Sequence, residues 1–223
     1  MNPSMGKGQF KMIPALDGKL RSLPAGSRVA ICTMRGSMCP ITRAHVEMMV
    51  EARKLLLESK VDGEYAECVG FLTMNSDRWV GAKLSGEMCT FVQRMNAHRK
   101  ELIEMSIADI PWLHLSTNGE MEAVLHLGLY PRLNIEHFSI NGEDDVLKYK
   151  KWTNSGPHNR YITIGRAFSE TRLSKDIETK DFIIAPPVGE ISSTQVREAC
   201  RANDRAALEK MVHPRVADWL LAG

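Results

Sequence analysis

Apolar and polar positions follow two periods along the chain, and the switches between them mark its elements. Val29-Ala30-Ile31-Cys32 is the short apolar run of a buried strand. Gly36-Ser37 turns the chain, Pro40 pre-sets φ near the first helical positions, and the pattern becomes helical. Val46, Met49, Val50, Leu56 and Leu57 form its apolar face, while Glu47, Glu51, Lys54 and Glu58 recur at i+3/i+4 opposite. Further strands are expected at 67–73, 111–115, 135–140 and 161–164 and around Phe182-Ile183-Ile184. Helices are expected over 95–108, 146–151, 201–211 and 214–221. In the first of these helices Leu102, Ile103 and Met105 are apolar, with Arg94, Arg99, Lys100, Glu101 and Glu104 outside. The last two bury Leu208, Met211, Val212, Val216, Trp219 and Leu220. Residues 74–83 read as a turn-rich loop at a strand C-terminus, where open α/β sheets bind ligands. Trp112 stands at a strand start, where packing is the expected role.

Alternation of strands and helices at these spacings suits right-handed βαβ crossovers. The expected fold is α/β: a doubly wound, Rossmann-like central parallel sheet in a single domain, residues 28–223. Residues 1–27 lack sustained periodicity and read as an N-terminal extension that partly packs on the domain or stays mobile.

Two helix starts carry the candidate chemistry. In the first, strand, glycine turn and helix N-terminus bring backbone N–H groups and the positive dipole end together, where an anion can sit. Thr42 and His45 project from that first turn. The plainer alternative is that Thr42 caps the helix and His45 is a partly buried helical histidine. In the second, Ile191 to Arg197, Ser192 and Gln195 fit the S-x-x-Q capping box, with Arg197 one turn in. Its plainer alternative is an ordinary cap with a solvated arginine. Two phosphate-shaped sites in one α/β chain are less expected by chance than either alone.

G-S-x-x-P-x-T-x-x-H at Gly36 to His45, with I-S-S-T-x-x-R at Ile191 to Arg197, resembles the nicotinamide/nicotinate mononucleotide adenylyltransferases. These belong to the nucleotidyltransferase α/β superfamily, and the resemblance covers nearly all of residues 28–222. It implies transfer of an adenylyl group from ATP to a pyridine mononucleotide, giving NAD or its deamido form and pyrophosphate. It further implies His45, Thr42 and Arg197 as catalytic residues. ATP and its phosphates would be met by Gly36, Ser37, Met38, His45, Lys83, Ser193, Thr194 and Arg197. The mononucleotide side would fall to Gly36, Ser37, Gly142, Asp144 and Trp152, the tryptophan stacking on the pyridine ring. Mg²⁺ is expected on the phosphates, with few or no direct protein ligands. Alternatives stay open for several of these. Lys83 is otherwise a solvated surface lysine, Asp144 the cap of the following helix, and Trp152 a packing residue. The chain departs from the family where 120–125 carries no tryptophan, and at Cys39, where many members have asparagine. Beside a helix N-terminus Cys39 is either a reactive thiolate that ATP shields or an inert buried thiol.

Composition narrows the classes. With 43% hydrophobic and 25% charged residues the chain is globular, and its net charge of +2 argues against nucleic acid or a membrane surface as partner. The five cysteines are widely spaced without C-x-x-C, which favours free thiols in a reducing compartment. A cytoplasmic location, with the nucleus open, and partners limited to ATP and a pyridine mononucleotide are the expectation; a homo-oligomer stays open. Another nucleotidyltransferase, such as a phosphopantetheine adenylyltransferase, and a nucleotide-binding holdase are the competing functions.

Overall fold

The computed structural model describes residues 13–59, 61–84, 96–167 and 173–222. The first twelve residues of the extension, Cys89, Arg94 and Met95 lie outside them. The described strands form one six-stranded parallel sheet in the order β3-β2-β1-β4-β5-β6. They are β1 (Arg28–Gly36), β2 (Glu67–Met74), β3 (Leu113–Leu115), β4 (Asn134–Gly142), β5 (Arg160–Arg166) and β6 (Phe182–Val188). The chain works outward from β1 to one edge, returns to pair β4 with β1, then continues to the other edge. Loops after β1 and β4 therefore diverge and open a crevice at the strand C-termini.

Helices cover both faces, because strands buried on two sides need two apolar layers. On one face α2 (Arg43–Leu57), α4 (Asn96–Ile107), α7 (Ser193–Arg201), α8 (Arg205–Met211) and α9 (Pro214–Ala222) close over Ala30, Cys32 and Met34. On the other, α1 (Pro14–Ser22) and α5 (Glu120–His126) pack on Val29, Ile31, Val69 and Phe71. α6 (Glu143–Tyr149) sets Val146 against Phe182 and Leu173 on that same face. A helix also forms at α3 (Asp77–Lys83), where the sequence reading had a loop; Ser76 caps it, its hydroxyl accepting from Trp79 N–H at 3.3 Å.

Several placements differ from expectation. α2 begins at Arg43, so Pro40 lies in the preceding turn instead of the helix. Val50 is exposed, and Ala44 and Ala52 join Met49 and Leu56 on the buried side. α1 was not anticipated, since only Leu16 and Leu20 mark its buried face. Arg99, assigned to the outer face of α4, is fully buried. It stands three and four residues before Leu102 and Ile103 and so shares their face. Trp112 packs against the core with the Arg53 guanidinium over its ring, the packing role expected of it.

Opposite the crevice, the N-terminal ends of β1, β4 and β5 are tied by charge. Arg28 and Arg160 both donate to Asp62 and Glu136, and Tyr65 donates its hydroxyl to the same carboxylates. Those partners hold Asp62 near 2 against the desolvation that would raise it.

Candidate functional site

Above the β1/β4 divergence lies a cleft of about 1210 Å³ that gathers most residues singled out in the sequence. Its walls include Gly36, Ser37, Met38 and Cys39 after β1, and His45 on α2. Lys83 on α3, Gly142 and Asp144 at the β4–α6 junction, and Ser193, Thr194 and Arg197 on α7 complete this set.

The two helix starts are stitched to one another. Ser193 donates its hydroxyl to the Pro40 carbonyl at 2.8 Å, and Arg197 donates to the Cys39 carbonyl at 2.7 Å. Arg197 also donates to Thr194 Oγ1 at 3.0 Å. Ser192 and Gln195 form the expected capping box: Gln195 N–H donates to the serine hydroxyl, and Ser192 N–H to the amide oxygen at 2.8 Å. Arg197 is thus not a solvated arginine. It is buried at the cleft wall, and its guanidinium holds the first loop by the Cys39 carbonyl.

Thr42 also departs from the expected role. It is 2% exposed and is not part of the cleft wall; it borders a second cavity of about 370 Å³ with Arg43, Glu47 and His213. As N-cap of α2 it meets His45 twice: its N–H donates to His45 Nδ1 at 3.1 Å, and its hydroxyl lies 2.7 Å from the same nitrogen. A backbone N–H can only donate, so Nδ1 is the acceptor and the ring proton sits on Nε2. Burial, with smaller contributions from the Arg166 and Lys83 charges, pushes His45 down to about 4. At neutral pH the cleft therefore holds an uncharged imidazole of fixed tautomer, with Nε2–H as its donor.

Trp152 is not at the cleft. It sits in a short 3₁₀ turn (Lys151–Asn154) and packs on the cluster of Val146, Leu173 and Phe182, the packing alternative. The αL turn at Lys150 redirects the chain after α6, which spacing alone does not reveal. Among the described residues Trp79 of α3, Tyr149 of α6 and Tyr161 of β5 line the cleft, and the first two are the exposed ones, at 60% and 53%. Asp144 does not cap α6, since Gly142 is the N-cap. It projects from the first turn and pairs with Arg166 at 3.3 Å. Cys39 is buried against Val80 and Leu84, which favours the inert thiol over the reactive one.

Sequence reasoning missed Arg35, Arg166, His126, His137, Trp79 and Tyr149, all on the cleft wall. The first two could have been found from position, since Arg35 is the last residue but one of β1 and Arg166 the last of β5, both at the C-terminal edge. His137 lies 2.8 Å from Thr33 Oγ1 across the β1/β4 pair, and burial holds its pKa below the ordinary value. Glu143 is buried beneath Gly165, where a Cβ would stand 2.6 Å from Glu143 Oε2, so a side chain there would push the carboxylate aside. The carboxylate accepts from Leu173 N–H. Lys151 donates to Asn141 and Asp145. Among the described residues no group of three or more His, Cys, Asp or Glu converges on a metal position, and no helix is long and apolar enough to cross a membrane.

The same architecture occurs in solved structures. Plasmodium falciparum nicotinic acid mononucleotide adenylyltransferase complexed with APC superposes with a TM-score of 0.59 at 17% identity, covering 86% of this chain and 94% of that one. Its complex with NaAD gives 0.57 at 16% identity, covering 86% and 95%. This chain shares their fold. No family model and no curated protein matches the sequence. At such identity the likeness concerns backbone architecture, and the chemistry has to be argued from the cleft.

Proposed function

We propose that the chain is an adenylyltransferase joining ATP to nicotinate or nicotinamide mononucleotide, with release of pyrophosphate. The observation that carries this reading is the convergence of the 36–45 and 193–197 segments on one cleft, stitched through the Cys39 and Pro40 carbonyls. Each segment brings a helix N-terminus to the same place, and Arg35, Lys83 and Arg166 add positive charge around it. Such a site suits a polyphosphate. The solved structures of like fold carry nucleotides and make the same substrate class the first to test.

In this reading a 5′-phosphate oxygen of the mononucleotide attacks the α-phosphorus of ATP. The bond to the β-bridging oxygen breaks, and its electron pair leaves with pyrophosphate. No covalent intermediate on the protein is needed, so the chain's task is alignment and neutralisation of charge. His45 donates Nε2–H to a non-bridging oxygen where negative charge grows. Thr42 acts through His45 by fixing its tautomer. The Gly36–Met38 backbone, Ser193, Thr194 and Lys83 meet phosphate oxygens, and Arg197 keeps the loop between them in place. Gly142 and Asp144 border the sugar, and Trp79 and Tyr149 take the ring contact assigned in sequence to Trp152.

Mg²⁺ fits as a passenger of ATP more than as a resident ion. Asp144, Asp145 and Glu143, the cleft carboxylates, are engaged with Arg166, Lys151 and the Leu173 N–H. When bound, the ion would neutralise charge on the β- and γ-phosphates.

A coupled assay of ATP with each mononucleotide tests the proposal. Dinucleotide and pyrophosphate should form in equal amounts with at least one of them. Absence of product with both, from protein whose fold is intact, would overturn it.

A further inference from the structure

We infer that Arg99, deep in the core and outside the cleft, is a positioning residue that shapes the phosphate-facing loop by drawing its Ser37 carbonyl inward. Arg99 is the largest fully buried side chain among the described residues. Its guanidinium donates to the Ser37 carbonyl at 2.8 Å, to the Asn75 carbonyl at 2.8 Å and to Asp77 Oδ1 at 2.6 Å. These acceptors belong to two separate cleft walls: the turn after β1, and the start of α3, which carries Trp79 and Lys83. A planar donor fork can serve three acceptors at once, whereas a lysine ammonium in the same volume cannot reproduce that geometry.

The consequence for the turn follows from peptide geometry. In a trans peptide the C=O of one residue and the N–H of the next point in opposite directions. The Gly36 carbonyl accepts from Asn75 N–H at 2.9 Å, and the Ser37 carbonyl accepts from Arg99. With both oxygens held toward the α3 start and α4, the N–H groups of Ser37 and Met38 are turned the other way, toward the cleft. Met38 itself has φ +45°, the left-handed step that lets successive N–H groups converge in an anion-binding concavity. Further along, the Cys39 and Pro40 carbonyls are held by Arg197 and Ser193. Carbonyl oxygens that would repel phosphate are thus drawn into the protein from two sides, and Arg99 holds that of Ser37. Its role in binding rests on the reading of the cleft as a polyphosphate site; its role in holding the two loops does not.

The test compares full-length Arg99→Lys and Asp77→Asn with wild type and with Leu20→Ala. Leu20 is fully buried under the far face of the sheet, so its truncation lowers stability without touching either loop. Hydrogen–deuterium exchange of 36–41 and 75–79 and calorimetric binding of inorganic pyrophosphate are read on all four proteins. Exchange in both loops should quicken at least tenfold, and pyrophosphate bind about tenfold more weakly, in Arg99→Lys and to a smaller degree in Asp77→Asn. Leu20→Ala should show a lowered Tm with both readouts unchanged. If Arg99→Lys does not fold, Asp77→Asn, altered at a half-exposed carboxylate, carries the comparison. Wild-type exchange in the Arg99→Lys and Asp77→Asn loops, or equal loosening by Leu20→Ala, would overturn the inference. Wild-type pyrophosphate affinity in those two variants would overturn the positioning role and leave the transferase reading standing. A wild-type protein that ignores pyrophosphate, with loops still responding to Arg99, would overturn the polyphosphate reading and its positioning role and leave the clamp.

Discussion

Two groups of Thr42, a backbone N–H at 3.1 Å and a hydroxyl at 2.7 Å, converge on the single Nδ1 of His45. A proton added to that nitrogen would face a donor it cannot turn away. The imidazole is consequently held neutral by geometry as well as by burial, which gives its titration a testable sign.

Activity should carry no inflection from His45 near the ordinary 6.5, and change only as pH falls toward about 4, where a protonated Nδ1 would lose the Thr42 N–H bond that orients the ring while Nε2–H stays a donor. Stability has the matching window. Between 6.5 and 4 the unfolded chain takes up a proton that folded His45 refuses. The histidine therefore destabilises the fold increasingly as pH falls through that range, and the loss levels off below it. Denaturation midpoints of wild type and His45→Gln across pH 4 to 7 check this: the variant should lose less stability on acidification.

His45→Ala should lower kcat by roughly 10²–10³-fold, the scale of removing one donor at a reacting oxyanion, with a smaller change in KM. Thr42→Val keeps the backbone donor and should cost much less. Steady-state kinetics of both, with folding checked by circular dichroism, decide whether the threonine acts through the histidine.

Arg197→Lys should lose stability and activity together. Its buried bond to the Cys39 carbonyl is charge-assisted, and breaking it costs about 1.5–3 kcal/mol. Thermal denaturation beside kinetics checks the coupling; unchanged Tm with lost activity would return the arginine to direct phosphate contact.

Trp79→Ala should raise KM for the mononucleotide about tenfold, the value of one desolvated ring contact, and leave Tm nearly unchanged because the side chain is exposed. Trp152→Ala should do the reverse, costing about 2–3 kcal/mol of packing with KM preserved. Paired melting curves and substrate titrations separate the two tryptophans.

Cys39 should resist iodoacetamide in the folded protein and react in urea, as a thiol packed on Val80 and Leu84 would. Peptide mass spectrometry before and after unfolding reads this directly.

What the sequence made legible follows from where local rules suffice. The buried strands announced themselves as apolar runs, and Ser192 with Gln195 as a cap, because both signals are local. Which tryptophan faces the cleft was not local. Trp152 has the better spacing after Gly142, yet the turn at Lys150 directs it inward, while Trp79 emerges from a helix too short for a periodic signature. Arg99 is a different case: its spacing from Leu102 and Ile103 placed it on the buried face, but a charged residue is ordinarily assigned to solvent. Its acceptors at Ser37, Asn75 and Asp77 account for its burial, and they follow β1 and β2, distant in sequence.

The stitches between the two helix starts also have a consequence in time. Pro40 and Cys39 precede their partners Ser193 and Arg197 by 153 and 158 residues. All six strands are complete at Val188, so a chain emerging from the ribosome could assemble its sheet before it has a second wall for the cleft. The turn at 37–40 would then be held from the α4 side alone. Competence for nucleotide would arrive last, with synthesis of α7.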